Sequence, residues 1–91
     1  MAGEETAHSR LIRRWLAGEV VNNHVGIKLR GGPFDGRIRI MQLDEAGSPP
    51  LRTRCRRTVE VWHVHVLVAE PDEPSSWVYV YKGVEPADGR P

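Results

Sequence analysis

The chain has 91 residues, one cysteine and a formal net charge of +1, so a single domain spanning 1–91 without an internal disulfide is expected. No apolar run approaches the roughly 20 residues of a membrane helix. The first residues are acidic and polar, unlike those of a signal peptide. Both observations favour a cytoplasmic protein. Residues 1–57 hold 11 Lys and Arg against 6 Asp and Glu, whereas 58–91 hold 2 against 6. Such an asymmetry occurs in charged interaction surfaces and equally in proteins without one, so it does not decide between them.

The first predicted element is a helix over about residues 6–17. Its apolar side chains recur at i, i+1, i+4 and i+5 and form one stripe, made of Leu11, Ile12, Trp15 and Leu16. Thr6 or Ser9 suits the N-terminal cap, and Gly18 suits the end. We interpret this segment as a helix that packs Trp15 on a sheet. A helix that lies on a membrane surface or binds nucleic acid is the alternative, because arginines flank the stripe.

From residue 22 the apolar period changes to two, which indicates strands. Residues 24–30 and 37–41 are predicted to pair as a hairpin, and 58–70 and 77–81 are two further predicted strands. Residues 44–50 read as a loop, and 51–57 have no clear period.

These elements predict an α+β fold. An N-terminal amphipathic helix packs on a four-stranded antiparallel, meander-like sheet over residues 22–82, followed by a polar C-terminal tail at 83–91. A sheet curled toward a small barrel is the alternative. The strand order across 44–57 and the choice of core face stay open at this point.

The stretch RGGPFDGR at 30–37 is predicted to be a hairpin turn. A phosphate-binding loop needs a helix behind it, and here a strand follows. An EF-hand loop needs several oxygen ligands, and only Asp35 offers a carboxylate. Gly31 and Gly32 suit positive φ values, and Asp35-Gly36 is a common turn dipeptide.

The expected register of this hairpin gives the sheet a basic and aromatic face. If Arg30 and Arg37 are the last paired residues, Leu29 faces Ile38 and Ile27 faces Ile40, beneath the helix together with the valines of the later strands. The opposite face then carries Trp77 and the candidate binding residues, which are Lys28, Arg30, Arg37, Arg39, His63, His65, Tyr79 and Tyr81. Four aligned cations repel one another, so acidic neighbours or an anionic partner are expected.

Two kinds of partner suit such a face. Basic residues beside stackable aromatic rings are common where single-stranded nucleic acids bind to a sheet. A protein partner would use Tyr, Trp and Arg equally well. Alternatively the tyrosines and tryptophans form the core, inside a curled sheet, and the valines face outward.

No group of residues predicts catalysis or a metal site. His63 and His65 lie at i, i+2 on one side of a strand, but zinc needs three or four ligands, and the other candidates fall at no motif spacing: His8, His24 and Cys55. Arginines around Cys55 favour its thiolate, yet no histidine base or oxyanion hole is placed beside it. We therefore expect a non-enzymatic protein without a metal or cofactor.

The residues GGPFDG after a short strand, the charged strand behind them and the aromatic WVYVYKG resemble the small "GGP-x-DG" proteins of actinobacteria and actinobacterial phages. The resemblance covers 27–40 and 77–83, roughly the sheet. It implies a short protein of phage or actinobacterial origin, located in the host cytoplasm or associated with the virion, and brings no catalytic residues. The excess of 11 arginines over 2 lysines agrees with a GC-rich genome.

From these observations we expect a protein–protein interaction or assembly factor that binds a partner, or a second copy of itself, through the exposed sheet face or the arginine-rich helix. The alternative is a nucleic-acid-binding module that uses the basic and aromatic face. No membrane partner is expected.

Overall fold

A computed structural model describes residues 6–87 and shows one helix and a five-stranded sheet. The elements are α1 (Ala7–Leu16), β1 (His24–Arg30), β2 (Ile38–Gln42), β3 (Arg52–Cys55), β4 (Val61–Ala69) and β5 (Trp77–Pro86). The strand order is β2-β1-β5-β4-β3, and the sheet curls into a half-barrel. The α+β prediction and the curled alternative are confirmed.

The sheet differs from the predicted four-stranded meander in two ways. The β1–β5 pair is parallel, while every other neighbouring pair is antiparallel. A fifth strand, β3, lies in the segment that showed no clear period. Burial agrees with part of this order, because β1, the most completely buried strand, lies inside the sheet and β2, which has no buried residue, forms one edge. Strand β5 also continues to Pro86, beyond the expected end of the sheet at residue 82; residues 88–91 of the expected tail lie outside the described part of the chain.

The hydrophobic core lies on the inner face of the curled sheet. Its buried members are Val25, Ile27, Leu29, Leu43, Cys55 and Tyr79, and partly buried side chains pack around them: Phe34, Met41, Leu67 and Trp77. Tyr79 therefore belongs to the core and Trp77 packs against it, so the expectation that the aromatic residues of β5 form an exposed far face is wrong. Val64, Val66 and Val68 of β4 and Val78 and Val80 of β5 alternate with the inward residues and point to the outer face.

Helix α1 lies on the outer face, against β1 and β2. The Thr6 side chain caps the helix by accepting a hydrogen bond from the Ser9 amide at 3.0 Å. A Cβ atom added to Gly26 would overlap the Trp15 carbonyl oxygen, so this glycine allows the helix to approach the strand backbone. The Trp15 indole donates to the Val21 carbonyl at 2.9 Å. The helix prediction is confirmed, but no residue of α1 is fully buried, because the core lies on the other side of the sheet.

The β1–β2 hairpin pairs one residue away from the expected register. Lys28 is opposite Ile38 and Ile27 is opposite Arg39, so the predicted pairing of Leu29 with Ile38 is wrong. The cause is the last pair: the Leu29 amide donates to the Arg37 carbonyl at 2.7 Å, whereas Arg30 is drawn into the parallel ladder opposite Val80. Consequently, Ile38 and Ile40 face outward and Arg39 faces inward.

The glycine-rich turn itself is confirmed. Gly31 and Gly32 have φ values of 84° and 69°, and a single 3-10 turn covers Gly32–Phe34. The Asp35 carboxylate accepts a hydrogen bond from the Gly31 amide at 2.6 Å. Gly32 also packs directly on an aromatic ring, since an added Cβ atom would lie 2.5 Å from Cγ of Tyr81. The turn therefore needs glycine here for its backbone angle and for the space beside Tyr81.

Candidate binding surface

The structure separates the predicted binding residues into three groups. Lys28 and Arg30 lie on the outer face beside the β4–β5 turn. Lys28 Nζ is 3.5 Å from the Glu73 carboxylate, and the Arg30 guanidinium is 3.4 Å from Glu70 and 3.8 Å from Glu73. Acidic neighbours thus balance these two cations, which was one of the two outcomes expected for a basic face.

The second group faces inward and is mostly buried. Tyr79 is fully buried, and its hydroxyl donates to the Pro50 carbonyl at 2.7 Å, which ties the connection before β3 to the sheet. Burial raises the pKa of Tyr79 to about 12, and the nearby Arg39 cation opposes this shift. His63 and Tyr81 are half-buried, with 3.0 Å between His63 Nδ1 and the Tyr81 hydroxyl. None of these rings forms an open platform for stacking.

His65 is the most unusual member of this inward group. It is fully buried, and neither ring nitrogen has a hydrogen-bond partner. Burial lowers the pKa of His65; the His63 backbone opposes this shift, and the charges of His63 and Arg39 add to it. We infer a neutral imidazole held as part of the core, because an uncompensated buried cation would be costly.

The third group, Arg37 and Arg39, lies where the half-barrel is open. The guanidinium of Arg37 is 5.8 Å from the Phe34 ring centroid. Arg39 reaches from β2 across to β3, where its Nη1 donates to the Arg54 carbonyl at 2.7 Å and approaches Cys55 Sγ at 2.9 Å. One side chain therefore bridges the two edge strands.

Three arginines that were not among the predicted residues complete this region. Arg52, Arg54 and Arg56 alternate along β3 and just beyond it, on the outer face, and Trp62 of β4 lies among them. The guanidinium carbons of Arg54 and Arg56 are 4.5 and 4.3 Å from the Trp62 ring centroid, a distance typical of cation–π contact. Glu85 of β5 pairs with Arg52 at 3.1 Å and with Arg54 at 3.4 Å.

We refer to these residues together as the arginine surface: Arg37, Arg39, Arg52, Arg54, Arg56 and Trp62. Two open grooves of about 530 and 460 Å³ cross it, and both are lined by Arg39, Arg54 and Trp62. Thr53 or Cys55 from the inner face also lines each groove. A groove lined by residues from both faces of a strand lies along the edge of that strand, so the arginine surface follows the free edge of β3.

A signal for this surface was present in the sequence. In LRTRCRR, Arg52, Arg54 and Arg56 alternate with Thr53 and Cys55, which the structure shows to be buried. A period of two with small inward residues is a strand pattern, although it lacks the aliphatic residues that usually reveal one. The contact between Arg39 and β3 has no comparable local signal.

Fold and site together define a small α+β domain whose half-barrel has an arginine-rich edge. Among residues 6–87 there is no helix long and apolar enough to cross a membrane, and no group of three or more His, Cys, Asp or Glu side chains that could hold a metal ion. The chain belongs to a family described as a domain of unknown function (DUF8847), whose sequence profile matches residues 25–83, from β1 into β5. No curated protein and no solved structure gives a significant match.

Proposed function

We propose that this protein is a non-enzymatic interaction module that binds an acidic segment of a protein partner through the arginine surface. The observation that supports this most directly is the gathering of five arginines, from β2, β3, the residue before β2 and the residue after β3, around Trp62 and the acidic residue Glu85. Arginine and tryptophan are enriched among residues that dominate protein interfaces, because both bury large surfaces and arginine pairs with carboxylates in two-point geometry.

The arrangement of the aromatic residues favours a protein partner over nucleic acid. Stacking on bases requires exposed ring faces, but Tyr79 and His65 are fully buried and Trp62 is in contact with two guanidinium groups. An assembly or accessory role in a phage or actinobacterial cell remains our proposal for the biological setting.

Nucleic acid is the second candidate, on the strength of the open cationic grooves. Phosphate groups would be attracted to Arg39, Arg52 and Arg54 without any base stacking. Such binding would be independent of sequence and would weaken steeply as salt increases.

Selection from a displayed library of random peptides, each about ten residues long, tests the proposal with no assumption about the natural partner. We expect enrichment of acidic peptides whose affinity falls about tenfold in Arg54→Gln. Lys28→Gln is a matched control, because the side chains of Lys28 and Arg54 are similarly exposed and each pairs with one glutamate. Selected peptides without an acidic bias, or an equal loss in both variants, would contradict the proposal. Salt-dependent binding of an oligothymidine in place of acidic peptides would support the second candidate.

A further inference from the structure

We propose that the acidic partner segment binds as an added β-strand along the free edge of β3, in the gap that Arg39 bridges. This inference rests on the proposed function and specifies how the partner is held. It concerns the opening of the half-barrel between β2 and β3, the two edge strands of the sheet.

The backbone of β3 is oriented for such pairing. The Leu51 carbonyl accepts from the Leu67 amide at 2.8 Å, so residue 51 and, by the alternation of an antiparallel ladder, residues 53 and 55 direct their backbone groups toward β4. Arg52 and Arg54 then direct theirs away from β4, into the gap. The hydrogen bond from Arg39 to the Arg54 carbonyl confirms that direction.

The edge of β2 faces the same gap. The Arg37 carbonyl accepts from Leu29 of β1, so the same alternation directs the backbone groups of Ile38 and Ile40 away from β1. In the described part of the chain, β2 and β3 form no ladder with each other. Their connection is the Arg39 side chain, whose guanidinium takes the place that a backbone N–H of an added strand would occupy on the Arg54 carbonyl. We call this contact the Arg39 bridge.

The side chains along the edge specify the occupant. Outward positions of β3 carry Arg52 and Arg54, and inward positions carry the buried Thr53 and Cys55. A strand added beside β3 places its own side chains alternately on these two faces. The complementary segment therefore alternates acidic residues with small apolar ones. A second copy of β3 would instead place arginines beside arginines, and charged edge strands of this kind oppose self-pairing.

The proposed binding step exchanges one hydrogen bond for several. An incoming amide displaces the Arg39 guanidinium from the Arg54 carbonyl, and the released cation can pair with a carboxylate of the same segment. Addition of a strand to an exposed edge is a recurrent mode of peptide recognition, in which backbone hydrogen bonds give affinity and alternate side chains give specificity.

The test uses a peptide with alternating Glu and Val, acetylated and amidated at its ends. Its length is about ten residues, within the usual range for a strand. The comparison peptide has the same composition, but its Glu and Val residues are in separate blocks. Amide hydrogen exchange is followed residue by residue in the full-length protein. We expect the alternating peptide to bind more tightly and to slow exchange at Arg52 and Arg54 by about tenfold or more. The amide of Thr53 serves as the control in the same strand, because it is directed toward β4 before the peptide binds.

N-methylation of alternate peptide amides separates strand pairing from attraction between side chains. One of the two methylation patterns should abolish binding, because it removes the donors that face β3, and the other should weaken it much less. If both methylated peptides bind as well as the parent and exchange at Arg52 and Arg54 is unchanged, strand addition is wrong while the proposed function stands. If neither acidic peptide binds, the proposed function fails as well. If the protein protects these amides by dimerising without peptide, the occupant is a second copy and the inference is overturned.

Discussion

Replacing Gly32 by alanine is expected to lower the free energy of unfolding by more than the cost of its backbone angle alone. The φ value of 69° places this residue in the left-handed region, where a Cβ atom costs about 1–2 kcal/mol. The new Cβ atom would also lie 2.5 Å from Cγ and 2.6 Å from Cδ1 of Tyr81. Because Cγ is close to the strand backbone, the ring cannot avoid the contact by rotating in place, and overpacking of this kind costs about 1–3 kcal/mol more.

Gly36 provides a matched control within the same turn. Its φ value is 85°, and an added Cβ atom would meet nothing within 4 Å. Gly36→Ala should therefore show the cost of the backbone angle alone, about 1–2 kcal/mol. The difference between the two variants isolates the contact with Tyr81.

Urea titration followed by tryptophan fluorescence measures both variants. With a slope near 1 kcal/mol per molar urea for a small domain, the midpoint of Gly32→Ala should lie about 1–3 M below that of Gly36→Ala. In a Tyr81→Ala background, the two substitutions should cost nearly the same, because the ring is gone. Equal losses in the unaltered background would refute the argument that Gly32 is selected for space beside Tyr81.

Two further predictions concern buried titratable groups. Tyr79→Phe should lower the free energy of unfolding by about 1–3 kcal/mol, because the Pro50 carbonyl loses its donor. In the unaltered protein, the stability due to neutral Tyr79 should be fully present below the ordinary tyrosine pKa of 10.0 and should be lost as the pH rises to about 12. Urea titrations across that pH range measure this loss, and a urea midpoint that does not change with pH would contradict the prediction. His65→Leu should raise the free energy of unfolding by about 1 kcal/mol, because it removes two buried nitrogens without partners. Because burial lowers the pKa of His65, the wild-type protein should lose stability as the pH falls below 6.5, and His65→Leu should reduce that loss; equal pH dependence in the two proteins would disprove the assignment.

The elements with local signals were predictable from the sequence. The stripe of α1, the Thr6 cap and the glycine-rich turn each depend on residues a few positions apart, and the structure shows all three. The strand period of β1 was equally clear. What these signals cannot fix is the last pair of a hairpin, because moving it by one residue changes the face of every side chain on β2. That is why Arg39 was assigned to the wrong surroundings.

The candidate site was only partly predictable for a different reason. The sequence predicted that arginines take part in binding, and two of the predicted residues, Arg37 and Arg39, belong to the arginine surface. Arg52, Arg54 and Trp62 were not among the predicted residues, because their proximity to Arg39 depends on the curl of the whole sheet. Tyr79 and His65, which were predicted to be binding residues, are buried instead. The large rings lie on the inner face of the sheet, and most valines of β4 and β5 lie on the outer face.

The parallel pairing of β1 with β5 has a consequence for synthesis of the chain. Three pairs join these strands, namely Lys28 with Val78, Leu29 with Tyr79 and Arg30 with Val80, and in each pair the partners are fifty positions apart. The β1–β2 hairpin can form early, but a two-stranded hairpin alone is barely stable in water. As the ribosome releases the chain, one edge of β1 stays unpaired until β5, the last strand of the sheet in chain order, emerges. Completion of the fold therefore waits for a slow, long-range closure, and a chain that stops before β5 would expose the apolar residues of β1.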